Sequence, residues 1–147
     1  MGETAAGWAG TVRGKPEPGA AAERRRTTTA DDIVAFTAIT GDRNPLHYDR
    51  EQAERSRFGK LIVQGGVTSG LLNALVAEDL PGPGTVFLAV EWRFLKPVGV
   101  GEPLTARVEV TAVRDDKPIA TLACAIRDGA GDLVLEGSAT TYTVALG

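Results

Sequence analysis

The chain is poor in the residues that usually announce chemistry or a compartment. It has one cysteine, Cys124, so no intrachain disulfide can form. It has one histidine, His47, so any imidazole chemistry falls on that residue. Aromatic residues make up 5% of the chain. No apolar stretch approaches the roughly 18 residues of a membrane-crossing helix. The start lacks the basic-then-apolar pattern of a secretory signal, so the cytoplasm is the expected compartment. Charge of one sign is also scarce. A net charge of -3 supplies no field for nucleic acid and no lipid-binding face. The one basic cluster, Arg24-Arg25-Arg26, is short and suits a solvated strand entry, its alternative use being a handle for a phosphate-bearing ligand. No internal repeat is visible.

What is present describes an ordinary soluble domain. The length of 147 residues predicts one domain, and 43% apolar with 24% charged residues is the usual balance of such a domain. Residues 1–20 are rich in glycine and proline without a sustained period, which predicts a flexible N-terminal arm ahead of a single domain over 21–147. Trp8 is the one residue of that arm suited to dock on the body or on a partner.

Thr29 followed by Asp32 forms a capping-box pattern, and Ile33, Phe36 and Ile39 recur at helical spacing up to Gly41. A helix over about 30–40 follows, with Asp42 just past its end. Asn44-Pro45 predicts a turn, and Asp49 caps a second short helix over about 50–56. After Gly65-Gly66, the run from Val67 to Val76 is apolar almost all round, which predicts a buried helix stopped by Pro81-Gly82-Pro83-Gly84. The rest reads as long antiparallel strands. Leu104, Ala106, Val108, Val110 and Ala112 alternate along one of them, and Cys124 lies in the apolar run of another as a buried structural thiol. An apolar helix needs cover on every side. A sheet curled around it gives an α+β layout whose open face and edges favour a second copy.

The chemistry concentrates near Asp42 and His47. An imidazole exchanges protons near neutral pH, and a carboxylate within reach can orient it or handle a second proton. A water between them would be polarised from both sides. Gly65-Gly66, opening the buried helix, offers free N–H groups where a developing enolate oxygen would be stabilised.

The stretches "FTAITGDRNPLHYD", "FGKLIVQGG" and "LKPVGVGEPLTARVEV" resemble the MaoC-like (R)-specific enoyl-CoA hydratases and dehydratases, which have the hot-dog fold. The likeness runs from about 22 to 143 and includes D-x-N-P-x-H together with Phe94, Lys96, Pro97 and Gly101-Glu102. It implies that Asp42 and His47 activate one water for addition to an enoyl thioester, or run the reverse dehydration. It implies that the N–H of Gly65 or Gly66 polarises the thioester carbonyl and that Asn44 braces the loop. It implies a homodimer with no metal and no redox cofactor, the thioester being carried by CoA or by acyl-carrier pantetheine, with an acyl carrier protein as a further partner. Arg93 and Lys96 suit either a phosphate of that carrier or solvent.

Two positions depart from the family pattern. Gln64 stands where the family commonly has histidine, and Asn73 where many members have a serine that holds the loop; Thr68 and Ser69 are nearer substitutes for that serine. With Gly66 and Gly70 leaving room near the expected pocket, these departures suggest a specialised substrate such as a polyketide-like intermediate. Two other functions share the fold. One is a thioesterase, and the other is a non-catalytic partner or ligand-binding subunit.

Overall fold

The computed structural model describes residues 6–147. Strand β1 (Ala21–Thr27) leads into helix α1 (Ala30–Thr40), followed by the short helices α2 (Pro45–Tyr48) and α3 (Arg50–Arg55) and the longer α4 (Gly65–Ala74). Four strands complete the chain: β2 (Thr85–Phe94), β3 (Pro103–Val113), β4 (Ile119–Arg127) and β5 (Leu133–Thr143). All strand pairs are antiparallel, and the sheet order is β1-β3-β4-β5-β2. The α4 residues Leu71 and Leu72, with Leu75 and Val76 just beyond, form one core with Leu104, Val108, Leu122, Ile126 and Leu135 of the sheet. This is the hot-dog arrangement, an α+β fold, as expected.

Of strand β1 the sequence marks only the entry at Arg24-Arg25-Arg26, because Ala21–Thr27 carries little apolar alternation. As an edge strand it needs none: Arg24 pairs with Asp79 at 2.7 Å and Arg26 pairs with Asp32, so two of the three consecutive arginines are held by carboxylates. The helix after Ala74 widens into a π-type turn over Leu75–Asp79, closed by Leu80 N–H donating to Leu75 O at 2.9 Å. Along β3 the predicted alternation holds from Leu104 to Val110 and then fails. Val110 faces Leu122 while Ala112 faces Thr121, so an extra residue bulges the strand and Ala112 is exposed.

The expectation of a flexible arm over 1–20 is corrected for residues 6–20; Met1–Ala5 lie outside the described residues. Trp8 is only 2% exposed, and its indole Nε1–H donates to Arg114 O at 2.7 Å. Gly7 N–H donates to Asp115 O at 2.9 Å and Gly19 N–H to Val110 O at 2.8 Å. The arm thus covers the β3–β4 turn and satisfies carbonyls the sheet leaves free.

Cys124 points into the core, where burial pushes its thiol up to about 12. It stays protonated at neutral pH and is no nucleophile. The folded protein is expected to be inert to a thiol-reactive chromogen at pH 8, with one equivalent reacting after addition of denaturant, as followed by absorbance.

Candidate active site

The site is built by the end of α1 and the start of α4. Thr29 caps α1, its hydroxyl accepting from Asp32 N–H at 3.2 Å while the Asp32 carboxylate accepts from Thr29 N–H at 2.8 Å. Gly41 ends the helix with φ of 79°, a left-handed conformation that suits glycine and turns the chain so that Asp42 leaves the helix. The Asp42 carboxylate then accepts from Asn44 N–H at 3.0 Å. Asn44 in turn accepts from Leu46 N–H at 3.1 Å and caps α2, with Pro45 in its first turn. His47 therefore sits on a single helical turn rather than in an open loop.

His47 is buried, and its Nδ1 lies 2.7 Å from Ile62 O. A carbonyl only accepts, so Nδ1 carries the proton. In the neutral ring Nε2 then presents a lone pair, and it faces Asp42 Oδ2 at 3.6 Å. Two acceptors at that spacing do not bond each other directly. They form a cleft for a group that brings hydrogens of its own, such as a water. The Asp42 side chain is 38% exposed, so the cleft is reached from outside.

Gln64 is buried at the N-cap of α4. Its Nε2 donates to Ile33 O at 3.1 Å and to Thr37 Oγ1 at 3.2 Å. Behind it, α4 opens with Gly65 and Gly66, whose N–H groups have no intrahelical acceptor by helix geometry. Aromatic rings pack close against both glycines. A Cβ on Gly65 would lie 2.9 Å from Cε1 of Phe94, and one on Gly66 would overlap the ring of Phe36.

A cavity of about 410 Å³ adjoins this helix start. Gly65, Thr68, Ile62, Val63, Phe58 and Phe94 line it, with Arg57 and Lys96 also on its wall. The structure thus brings together Asp42, Asn44 and His47, ties Gln64 to the Asp42 loop through Thr37, and puts Gly65 and Thr68 on the cavity, whose lining includes Ile62, the partner of His47, and neither Asp42 nor His47. Ser69 is half-buried. Gly66, Gly70 and the exposed Asn73 line a different groove, between α1 and α4, with Phe36 and Ile39. The extra room expected from Gly66 and Gly70 is therefore not in this cavity. Of the residues expected to brace the loop, Gln64 reaches it through Thr37, whose hydroxyl donates to Asp42 O, while Asn73 lies on the other groove. Arg93 and Lys96, weighed for a carrier phosphate, are both paired with carboxylates. Arg93 pairs with Glu136 at 2.7 Å, and Lys96 lies 2.6 Å from Asp128 and 3.0 Å from Asp132, whose carboxylates hold its ammonium well above the ordinary lysine range.

Sequence reasoning missed Thr37, Tyr48, the Ile62 carbonyl and Arg57. Thr37 had a signal: it is a polar residue four positions after Ile33, where the buried stripe of α1 would take an apolar one. The role of the Ile62 carbonyl had none, because a backbone acceptor has no residue type.

The family model for the MaoC-like domain matches residues 13–125, well over half of the chain. The chain belongs to the MaoC-like family. Relatives agree with this. The chain is 41% identical over 123 residues to an (R)-specific enoyl-CoA hydratase of Aeromonas caviae, covering 84% of this chain and 92% of that protein. It is 37% identical over 115 residues to a 3-hydroxybutyryl-CoA dehydratase of Methylorubrum extorquens, covering 78% and 73%. The solved structure of an (R)-hydratase from A. caviae superposes with a TM-score of 0.84 at 39% identity, over 88% of this chain and 98% of that one. The departures at Gln64 and Asn73 are thus variations within a MaoC-like frame.

Since the Phe36 ring fills the space over Gly66, Gly66→Ala is expected to destabilise the fold by about 1–3 kcal/mol through overpacking. Urea unfolding of the two proteins, followed by tryptophan fluorescence, measures the difference.

Proposed function

We propose that the protein is a hydro-lyase that adds water to a 2-enoyl thioester, or removes it from a 3-hydroxyacyl thioester. The observation that carries this is the pair of lone pairs, on Asp42 Oδ2 and His47 Nε2, facing each other at 3.6 Å. A water between them donates one hydrogen to each. As its oxygen bonds to C3 of the enoyl group, one of the pair takes a proton and the alkene electrons move to the thioester carbonyl oxygen. The Gly65 N–H, at the positive end of α4 and on the cavity wall, stabilises that enolate. C2 then takes a proton from the pair, which ends as it began, and one water has been added. Dehydration is the same path reversed. The nucleophile is water, so the chemistry calls for no cofactor beyond the CoA or acyl-carrier pantetheine that is part of the substrate. Similarity to the Aeromonas and Methylorubrum proteins supports this substrate class.

The working form we propose is a homodimer. The free edge of β1 bears Glu23 and Arg25, charges that discourage pairing. The opposite edge strand, β2, exposes Val86, Leu88, Val90 and Phe94 beside the charged Glu91 and Arg93, and Val34 and Ile39 on α1 are exposed too. A second copy is the occupant best suited to cover them. An acyl carrier protein as substrate donor, and a specialised acyl group, remain part of the proposal; the latter rests on Gln64. A cytoplasmic location fits the single unpaired cysteine. No helix among the described residues is long and apolar enough to cross a membrane.

Mixed with crotonyl-CoA, the wild-type protein is expected to deplete the enoyl-thioester absorbance. Asp42→Asn and His47→Ala should each lower kcat by about 10²–10⁴-fold, the usual worth of a positioned acid or base. Release of free thiol with the alkene intact would instead mark a thioesterase. No turnover of crotonyl or larger thioesters by any of the three would mark a non-catalytic binding subunit. Separately, Val90→Glu is expected to convert the dimer to monomer in sedimentation velocity, and a wild type that sediments as a monomer would refute the dimer.

A further inference from the structure

We propose that Thr37, to which no role was assigned within the stretch "FTAITGDRNPLHYD", is the positioning residue that aims Asp42 at His47. This rests on the reading of Asp42 and His47 as the catalytic pair. Helical threonines ordinarily turn their hydroxyl back to a carbonyl of the preceding turn. Thr37 does the opposite and reaches forward past the helix end, its hydroxyl donating to Asp42 O at 2.7 Å. Its own carbonyl accepts from Gly41 N–H at 2.7 Å. One residue therefore grips both sides of the Gly41–Asp42 turn.

Proton counting gives the network a direction. The Thr37 hydroxyl has one hydrogen, and the Asp42 carbonyl takes it, since a carbonyl cannot donate. Every other partner of Thr37 Oγ1 must then be a donor. Gln64 Nε2 is one, at 3.2 Å. Tyr48 OH, in contact with the same oxygen and with its other acceptor, Ile33 O, farther off at 3.5 Å, is the other. The amide of Gln64 cannot be reversed, because its oxygen would then face Ile33 O and Thr37 Oγ1, neither of which has a hydrogen left to give. In the orientation that remains, Gln64 Oε1 is buried without a hydrogen-bond partner among the described residues. The protein keeps that orphaned oxygen, and with it two donors aimed at Ile33 and Thr37. Two donors, on α2 and at the start of α4, thus converge on one hydroxyl, and that hydroxyl ends on the backbone of the residue whose carboxylate faces His47. The α1, α2 and α4 ends are joined at a single atom.

The test uses the full-length protein with Thr37→Val, which keeps the shape and removes the hydroxyl, and Thr37→Ser, which restores the hydroxyl. Expected for Thr37→Val is a fall in kcat on crotonyl-CoA of at least about tenfold, with KM within about twofold, as displacement of a catalytic group by a fraction of an ångström produces. Thr37→Ser should recover most of the rate. A second readout does not depend on turnover. His47 is the only histidine, so its imidazole resonances are unambiguous in a long-range ¹H–¹⁵N spectrum. They should shift or broaden in Thr37→Val and return in Thr37→Ser, while the thermal unfolding midpoint shows both variants folded. Wild-type kcat together with unchanged His47 resonances in Thr37→Val would overturn the proposal. So would a loss in Thr37→Val that Thr37→Ser fails to restore. If the wild type does not turn over crotonyl-CoA, the hydro-lyase reading fails on that substrate, and the His47 resonances alone decide whether Thr37 positions the pair.

Discussion

A carbonyl oxygen accepts hydrogen bonds and cannot give them. The site depends on that constraint at Ile62, whose carbonyl holds the Nδ1–H of His47 at 2.7 Å and leaves the Nε2 lone pair facing Asp42. Were the proton on Nε2 instead, it would point at the carboxylate, and the Nδ1 lone pair would be left against the Ile62 carbonyl. The backbone around Ile62 is accordingly well tied. Ile62 N–H donates to Leu46 O at 3.1 Å, and Val63 N–H donates to Val98 O at 2.8 Å. The short stretch before α4 therefore holds the histidine on one side and the β2–β3 connection on the other. The same stretch delivers Gly65 to the cavity.

Most of this was legible in the sequence wherever the signal lay in residue type or period. The capping box at Thr29 and Asp32, the stop at Gly41 and the buried Leu71, Leu72, Leu75 and Val76 follow from local rules, and each stands where those rules put it. The D-x-N-P-x-H spacing put Asp42 and His47 in one place, and the structure brings their side chains face to face. What was not legible depended on partners distant in sequence. Strand β1 exists because β3 pairs with it, not because Ala21–Thr27 prefers an extended form. Trp8 docks because the turn at Arg114 and Asp115 offers carbonyls. Gly66 was read as room for a ligand, whereas its space is taken by Phe36, which lies 30 positions earlier.

The substitution at position 64 takes on a physical meaning in this setting. An imidazole there would add a second titratable ring, and its charge would vary with pH beside Asp42. The amide does not titrate. It donates twice, to Ile33 O and to Thr37 Oγ1, and leaves its oxygen buried without a partner. An unsatisfied buried acceptor costs about 1–3 kcal/mol, a large share of a small domain's stability. Local violations of this size are tolerated where function over-determines the surroundings. Gln64 sits between the carbonyl end of Ile33 and the hydroxyl that holds Asp42, which is where such a violation has a use. With Thr37 and Tyr48 it forms a hydrogen-bonded brace that ends on the backbone of Asp42, and on the proposed reading proton exchange is left to Asp42 and His47.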